Sequence, residues 1–92
     1  MNLLKIANLT LSYNVRSEIK NNPKFKRELL EILAKYITYD WGDLSQEDKI
    51  SNDKSLKSGN RILGAYNSTK GKIFINTDYL GGATTVLFAN EY

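Results

Sequence analysis

The chain has 92 residues, 41% hydrophobic and 25% charged, with a net charge of +3. These values describe one ordinary globular domain with a modest core. It contains no cysteine and no histidine, which excludes a disulfide framework, thiolate or imidazole metal sites, a Cys nucleophile and a His general base within this chain.

No apolar run approaches the roughly 20 residues of a membrane span. Residues 1–15 lack the basic stretch before an apolar core that marks a secretory leader. The expectation is a cytoplasmic protein with no membrane segment. Charge is uneven along the chain. Residues 1–38 hold seven Lys/Arg against three acids, residues 39–60 three against five, and residues 61–92 three against two.

Leu9, Leu11, Tyr13 and Val15 alternate with Thr10, Ser12 and Asn14. A period of two predicts a half-buried strand, beginning near Leu4. Ser17 to Asn21 reads as one helical turn. Asn22-Pro23 is a helix start, since Asn caps and Pro suits the first helical position. Phe25, Leu29, Ile32, Leu33 and Tyr36 then form an apolar stripe, with Lys24, Arg27, Glu28, Glu31 and Lys35 on the other side.

Tyr39 to Leu44 is a connector. Ser45-Gln46-Glu47-Asp48 resembles a capping box, with acids where the helix dipole favours them. This second helix is expected to run to about Ser58 and stop at a left-handed Gly59. Its apolar content is thin, Ile50 and Leu56, so it should stay largely exposed. Arg61 to Tyr66 reads as a strand, Asn67 to Gly71 as a hairpin loop, and Lys72 to Thr77 as the partner strand. Asp78 to Gly82 is a turn with Gly81-Gly82 as breakers, and Ala83 to Phe88 is the last strand. The order β-α-α-β-β-β predicts one α+β domain over residues 1–92: a small antiparallel sheet with helices packed on one face.

Half of the ten acidic residues and the only Trp fall within residues 40–66. Asp40, Asp43, Glu47 and Asp48 are either helix-start residues or a contact surface for a basic partner. A metal site would need several oxygens converging, and the spacing does not match a calcium-binding helix–loop–helix. Trp41 is either a core plug or an interface anchor. Arg61 either pairs with Asp40, Asp43 or Asp48, or recognises a phosphate or carboxylate. Lys20, Lys24, Lys26 and Arg27 are either a solvated helix face or a nucleic-acid patch. The tyrosines Tyr13, Tyr36, Tyr39, Tyr66, Tyr79 and Tyr92, with Lys5, Lys70 and Lys72, are either sheet and interface residues or a stacking platform. Thr84-Thr85 reads as strand propensity. No motif asks for a cofactor or a metal.

From Tyr36 onward the chain resembles a family of small proteins from plasmids, integrative elements and phages. The matching residues are Asp40-Trp41-Gly42-Asp43-Leu44, Glu47-Asp48, Asn52, Leu56, Gly59 and Arg61. They continue through 63–66 (LGAY), 72–77 (KIFINT), 84–88 (TTVLF) and Glu91-Tyr92. The chain departs from the family where members often carry His at position 36, Gly at 39 and Arg at 81. The resemblance implies a mobile-element accessory protein working in the host-cell cytoplasm. Small single-domain proteins of such elements often disarm host defences by binding. The expectation is therefore an anti-CRISPR or anti-restriction protein that binds a host defence protein or ribonucleoprotein complex stoichiometrically, as monomer or homodimer. Its contact residues would be Asp40, Trp41, Asp43, Glu47, Asp48 and Arg61. The positive net charge argues for local mimicry of nucleic-acid phosphates rather than a wholly acidic surface. Two alternatives stand beside it: a nucleic-acid-binding accessory module using Lys20, Lys24, Lys26 and Arg27, and a small enzyme using Asp40, Asp43, Arg61 and Thr85.

Overall fold

The computed structural model describes residues 3–78 and 82–92. In chain order the elements are β1 (Ala7–Leu11), α1 (Tyr13–Asn21), α2 (Pro23–Ile37), α3 (Gln46–Ser58), β2 (Ile62–Ser68), β3 (Gly71–Thr77) and β4 (Ala83–Phe88). A 3-10 turn over Ala89–Glu91 follows. The four strands form one sheet in the order β1-β4-β3-β2. β2, β3 and β4 are an antiparallel meander, and β1 runs parallel to β4. The fold is α+β, as the sequence suggests, but the sheet expected to be antiparallel throughout is parallel at β1, and three helices stand where two are expected. The turn expected over 78–82 falls largely on residues 79–81, outside the described residues. Among the described residues no helix is long and apolar enough to cross a membrane.

The helices start where small polar side chains satisfy free amides. Ser12 Oγ accepts from the Val15 N–H at 3.2 Å, and Asn22 Oδ1 from the Phe25 N–H at 3.1 Å. Ser12 is why the first strand ends early. The alternation through Val15 predicts strand, but the chain turns helical at Tyr13, and Val15 and Ile19 then fall one turn apart, facing inward. The single turn expected at 17–21 is thus the second half of a nine-residue helix. Ser45 Oγ accepts from the Asp48 N–H at 3.1 Å, and Gly59 closes α3 at φ +77°. α2 ends differently. The Asp40 N–H reaches back to the Lys35 carbonyl at 2.9 Å, which forces Tyr39 to φ +69°.

Alternate sheet residues meet the helices. Ile62 and Tyr66 of β2, Ile73, Ile75 and Thr77 of β3, and Thr84 and Val86 of β4 are buried on one face. Against them pack Val15 from α1 and Phe25, Leu29, Ile32 and Tyr36 from α2, with Leu4 and Trp41. Each such aliphatic or Phe side chain contributes about 1.5–3 kcal/mol on full burial. On the other face, Phe74 is met by Tyr92 at 5.4 Å between ring centroids.

One polar chain crosses the core. Tyr36 Oη and Thr77 Oγ1 are 2.6 Å apart, and Thr77 Oγ1 and Thr84 Oγ1 2.9 Å apart, all buried. Burial pushes the Tyr36 hydroxyl pKa up, and its bond to Thr77 opposes that in part. This answers the paired threonines of β4: Thr84 is a core hydrogen-bonding group. Tyr36→Phe removes the end of the chain and leaves Thr77 bonded to Thr84, so urea unfolding should show a loss of about 0.5–1.5 kcal/mol. Thr77→Val strands two buried hydroxyls and should cost more, about 2–3 kcal/mol. Equal losses would mean that the chain does not act as a unit.

Candidate partner-binding site

β2 is an outer strand, so alternate backbone groups along it face away from the sheet. Two devices satisfy them. Asn52 of α3 donates Nδ2 to the Leu63 carbonyl at 2.8 Å, and its Oδ1 accepts from the Leu63 N–H at 3.3 Å. The amide side chain thus completes both ladder bonds that a neighbouring strand would supply. Two residues on, the Ala65 N–H donates to the Trp41 carbonyl at 3.1 Å, and the Asp43 N–H to the Ala65 carbonyl at 2.6 Å. Residues 41–43 form a parallel bridge at Gly42.

Glycine is required at that bridge. Gly42 sits at φ +79°, and a Cβ there would collide with the Ala65 carbonyl oxygen and the Tyr66 ring. The Tyr66 ring lies back along its own strand over Gly64, where a Cβ would also meet it. Tyr66 Oη donates to the Asp40 carbonyl at 2.7 Å. Burial raises the pKa of this phenol far beyond its ordinary value, with Tyr36 and Asp40 adding to the shift; it is a structural donor. Trp41 is only 3% exposed. Its ring meets Tyr36 at 5.6 Å and Tyr39 at 6.1 Å, both near-perpendicular. Its Nε1 donates to Asp53 Oδ1 at 3.0 Å.

The expected contact residues therefore divide. Asp40, Asp43, Glu47 and Asp48 are exposed. They run along the connector that seals β2 and the first turn of α3, forming an acidic ledge. The Asp40 carboxylate accepts from the Gly42 N–H at 3.0 Å. Asp43 pairs with Lys72 at 3.2 Å and accepts from Asn67 at 3.5 Å. Hydrogen bonding to Lys72 and its charge hold the Asp43 carboxyl below its usual value, with Asn67 adding to them. Trp41 is the anchor beneath this ledge and offers no exposed contact.

Arg61 is elsewhere. Its Nε donates to Asn76 Oδ1 at 2.6 Å, and its guanidinium lies 5.3 Å from the Tyr92 ring centre. It does not pair with Asp40, Asp43 or Asp48, because it stands at the opposite end of β2 from Asn67, the residue that Asp43 contacts. Six residues of strand separate those two positions, about 20 Å. Asp43 and Arg61 thus do not converge, and Thr85 lies beside Asn76 in the register of β3 and β4, at the Arg61 end. Among the described residues no group of three or more acids is placed to hold a metal ion.

Lys20, Lys24, Lys26 and Arg27 are all exposed. Lys24 and Arg27, three residues apart, share one face of α2, whereas Lys26 leaves the helix in a different direction, since each residue turns it by about 100°. Lys20 lies on α1, with Tyr13 and Arg16. The tyrosines do not form one platform. Tyr36 and Tyr66 are buried, Tyr39 is half-buried, Tyr13 and Tyr92 are exposed on separate elements, and Tyr79 lies outside the described residues.

Three residues with central roles escaped the local reading. Asn52 and Asp53 occupy an apparently featureless polar helix. Glu91 accepts from Ser12 Oγ at 2.9 Å, Asn14 Nδ2 at 3.0 Å and the Phe88 N–H at 2.8 Å, pinning the end of β4 to the start of α1. Apart from Phe88 for Glu91, their partners lie eleven or more residues away, so no spacing rule flags them. No family model, no curated protein and no solved structure matches this chain.

Two measurements probe the ledge and its support. Asn52→Leu leaves both Leu63 groups without partners and should cost about 2–4 kcal/mol, and amide exchange at Leu63 should become fast; retained protection would show that another group seals the edge. The lowered Asp43 pKa means a stabilising contribution that is complete above its unfolded value of about 4 and lost as pH falls through the folded value. Because both partners are exposed, the contribution is small and screened by salt. Titration followed by NMR should find Asp43 below the ordinary aspartate range, and Lys72→Ala should raise it.

Proposed function

We propose that this protein is an anti-defence protein of a phage or other mobile element, acting by stoichiometric binding to a host nuclease complex of the CRISPR or restriction type. The observation that carries the binding reading is the acidic ledge. Four carboxylates within nine residues are exposed along a segment whose backbone is fixed by Trp41, Gly42 and the Ala65 bridge. Pre-organised charge costs little further ordering when a partner docks. Carboxylates at such spacing suit a basic groove, where they take the place of nucleic-acid phosphates. The genetic setting rests on the resemblance of residues 36–92 to mobile-element proteins. The chain contains neither His nor Cys, and Asp43 and Arg61 stand at opposite ends of β2, which favours binding over catalysis.

The test uses affinity capture from host lysate with the tagged protein, read by mass spectrometry. A CRISPR or restriction complex should be recovered in near-stoichiometric yield. Glu47→Lys with Asp48→Lys should abolish that recovery, while circular dichroism shows the fold intact. Glu47→Gln with Asp48→Asn should weaken it less. Recovery unchanged by charge reversal would remove the ledge as the contact, and capture of no defence component would remove the anti-defence reading.

A further inference from the structure

One stripe of α1 takes no part in the fold. Val15 is buried and Ile19 half-buried on the inner side. Tyr13, Arg16, Ser17, Lys20 and Asn21 recur at three- and four-residue steps on the other side, and line an open hollow of about 430 Å³. Tyr13 is 72% exposed, the most exposed of the large hydrophobic side chains among the described residues. Arg16 and Lys20 are one turn apart, and like charges at that spacing destabilise a helix. Glu18, the only acid of α1, lies off the stripe. Among the described residues the one ion pair is Lys72–Asp43, so neither Arg16 nor Lys20 is ion-paired; Glu91, at the first turn of α1, is held by Ser12, Asn14 and the Phe88 N–H.

We propose that this stripe binds single-stranded nucleic acid, with Arg16 and Lys20 on the phosphate backbone and Tyr13 stacked on an adjacent base. The side chains of Arg16 and Lys20 start about 5–6 Å apart on one helix face, so both reach one phosphate or two neighbouring ones. Ser17 lies between them and supplies a neutral hydrogen-bonding group. An exposed aromatic face beside cations accepts any unstacked base. A duplex keeps its bases stacked and leaves Tyr13 nothing to cover. An anionic membrane surface fits worse, because a membrane-bound helix needs an apolar face and the exposed stripe has only the Tyr13 ring.

This site is independent of the acidic ledge and lies across the sheet from it. α1 packs over β4, whereas the ledge borders β2, two places along the strand order β1-β4-β3-β2. The inference therefore goes beyond the proposed function, and the purified protein tests it without any host complex.

The experiment is fluorescence anisotropy with a short labelled oligothymidine strand and, separately, a duplex. The strand should bind at low salt, with affinity falling on a log–log slope of about −1.4 for two phosphate contacts. Arg16→Glu with Lys20→Glu should abolish binding, and Arg16→Gln with Lys20→Gln, a gentler change to the helix, should weaken it strongly. Tyr13→Ala should weaken strand binding about tenfold and leave duplex binding unchanged. Lys26→Glu, off the stripe on α2, should change affinity by less than about twofold, given that surface charges act over a Debye length. No strand binding at low salt overturns the proposal. So does full affinity in the folded glutamine variant, or binding to phosphatidylserine vesicles without binding to the strand.

Discussion

The outer edge of β2 governs much of this molecule. An edge strand presents unpaired amides and carbonyls that template aggregation unless something covers them. Here the cover is divided between a side chain and a loop: Asn52 takes Leu63, and residues 41–43 take Ala65. Each half imposes constraints. Asn52 fixes the rotation of α3, and with it the placing of Asp53 against the Trp41 indole. The loop must pass so close to β2 that only glycine fits at position 42. Tyr66 then locks the loop from below through the Asp40 carbonyl. The opposite edge is guarded more cheaply. β1 is five residues long and carries an irregularity where Asn8 adopts φ +51°; shortness and a bulge both discourage further pairing.

Local chemistry made the helix ends legible. Asn22-Pro23, Ser45 and Gly59 act as their residue types predict, because a cap is satisfied within a few residues. The meander was legible for the same reason: alternation and a short turn are local signals. What escaped depends on distant partners. β1 joins β4 only after three helices have intervened, so its parallel direction has no signature in residues 4–11. It ends earlier than the alternation predicts because Leu11, Val15 and Ile19 satisfy a helical spacing while 9–15 also alternate, and the Ser12 cap decides between the two. Tyr39 is a similar case. Its left-handed conformation favours glycine and strains other residues by about 1–2 kcal/mol, yet its ring packs on Trp41. The aromatic contact offsets strain that the sequence does not display.

The candidate site was half legible for a physical reason. The acids at 40, 43, 47 and 48 are identified by composition alone, but whether the Trp41 among them faces in or out depends on a partner for its N–H. Asp53 provides that partner from twelve residues away. A buried indole with a satisfied donor is an anchor. The pairing expected of Arg61 with Asp40, Asp43 or Asp48 does not form, although these carboxylates are near it in sequence. An extended strand carried Asp43 away from it and brought Asn76 and Tyr92 instead.

The segment 40–48 shows that structural and contact roles need not compete for the same residue. The bonds that close the sheet use backbone groups of Trp41 and Asp43, and they consume no acceptor capacity of the outward carboxylates. Helix capping likewise uses Ser45 Oγ and the Asp48 amide, leaving the Glu47 and Asp48 side chains exposed. Fixing the backbone is what gives the charges a defined spacing, and defined spacing is what distinguishes a complementary surface from a merely acidic one. The cations of α1 stand on the far side of the same sheet. Cations stand among the acids of the β2 flank as well: Lys72 pairs with Asp43, and Lys49 helps to lower its pKa. The ledge is therefore defined by the fixed positions of its carboxylates rather than by an excess of negative charge, in keeping with a net charge of +3 for the whole chain.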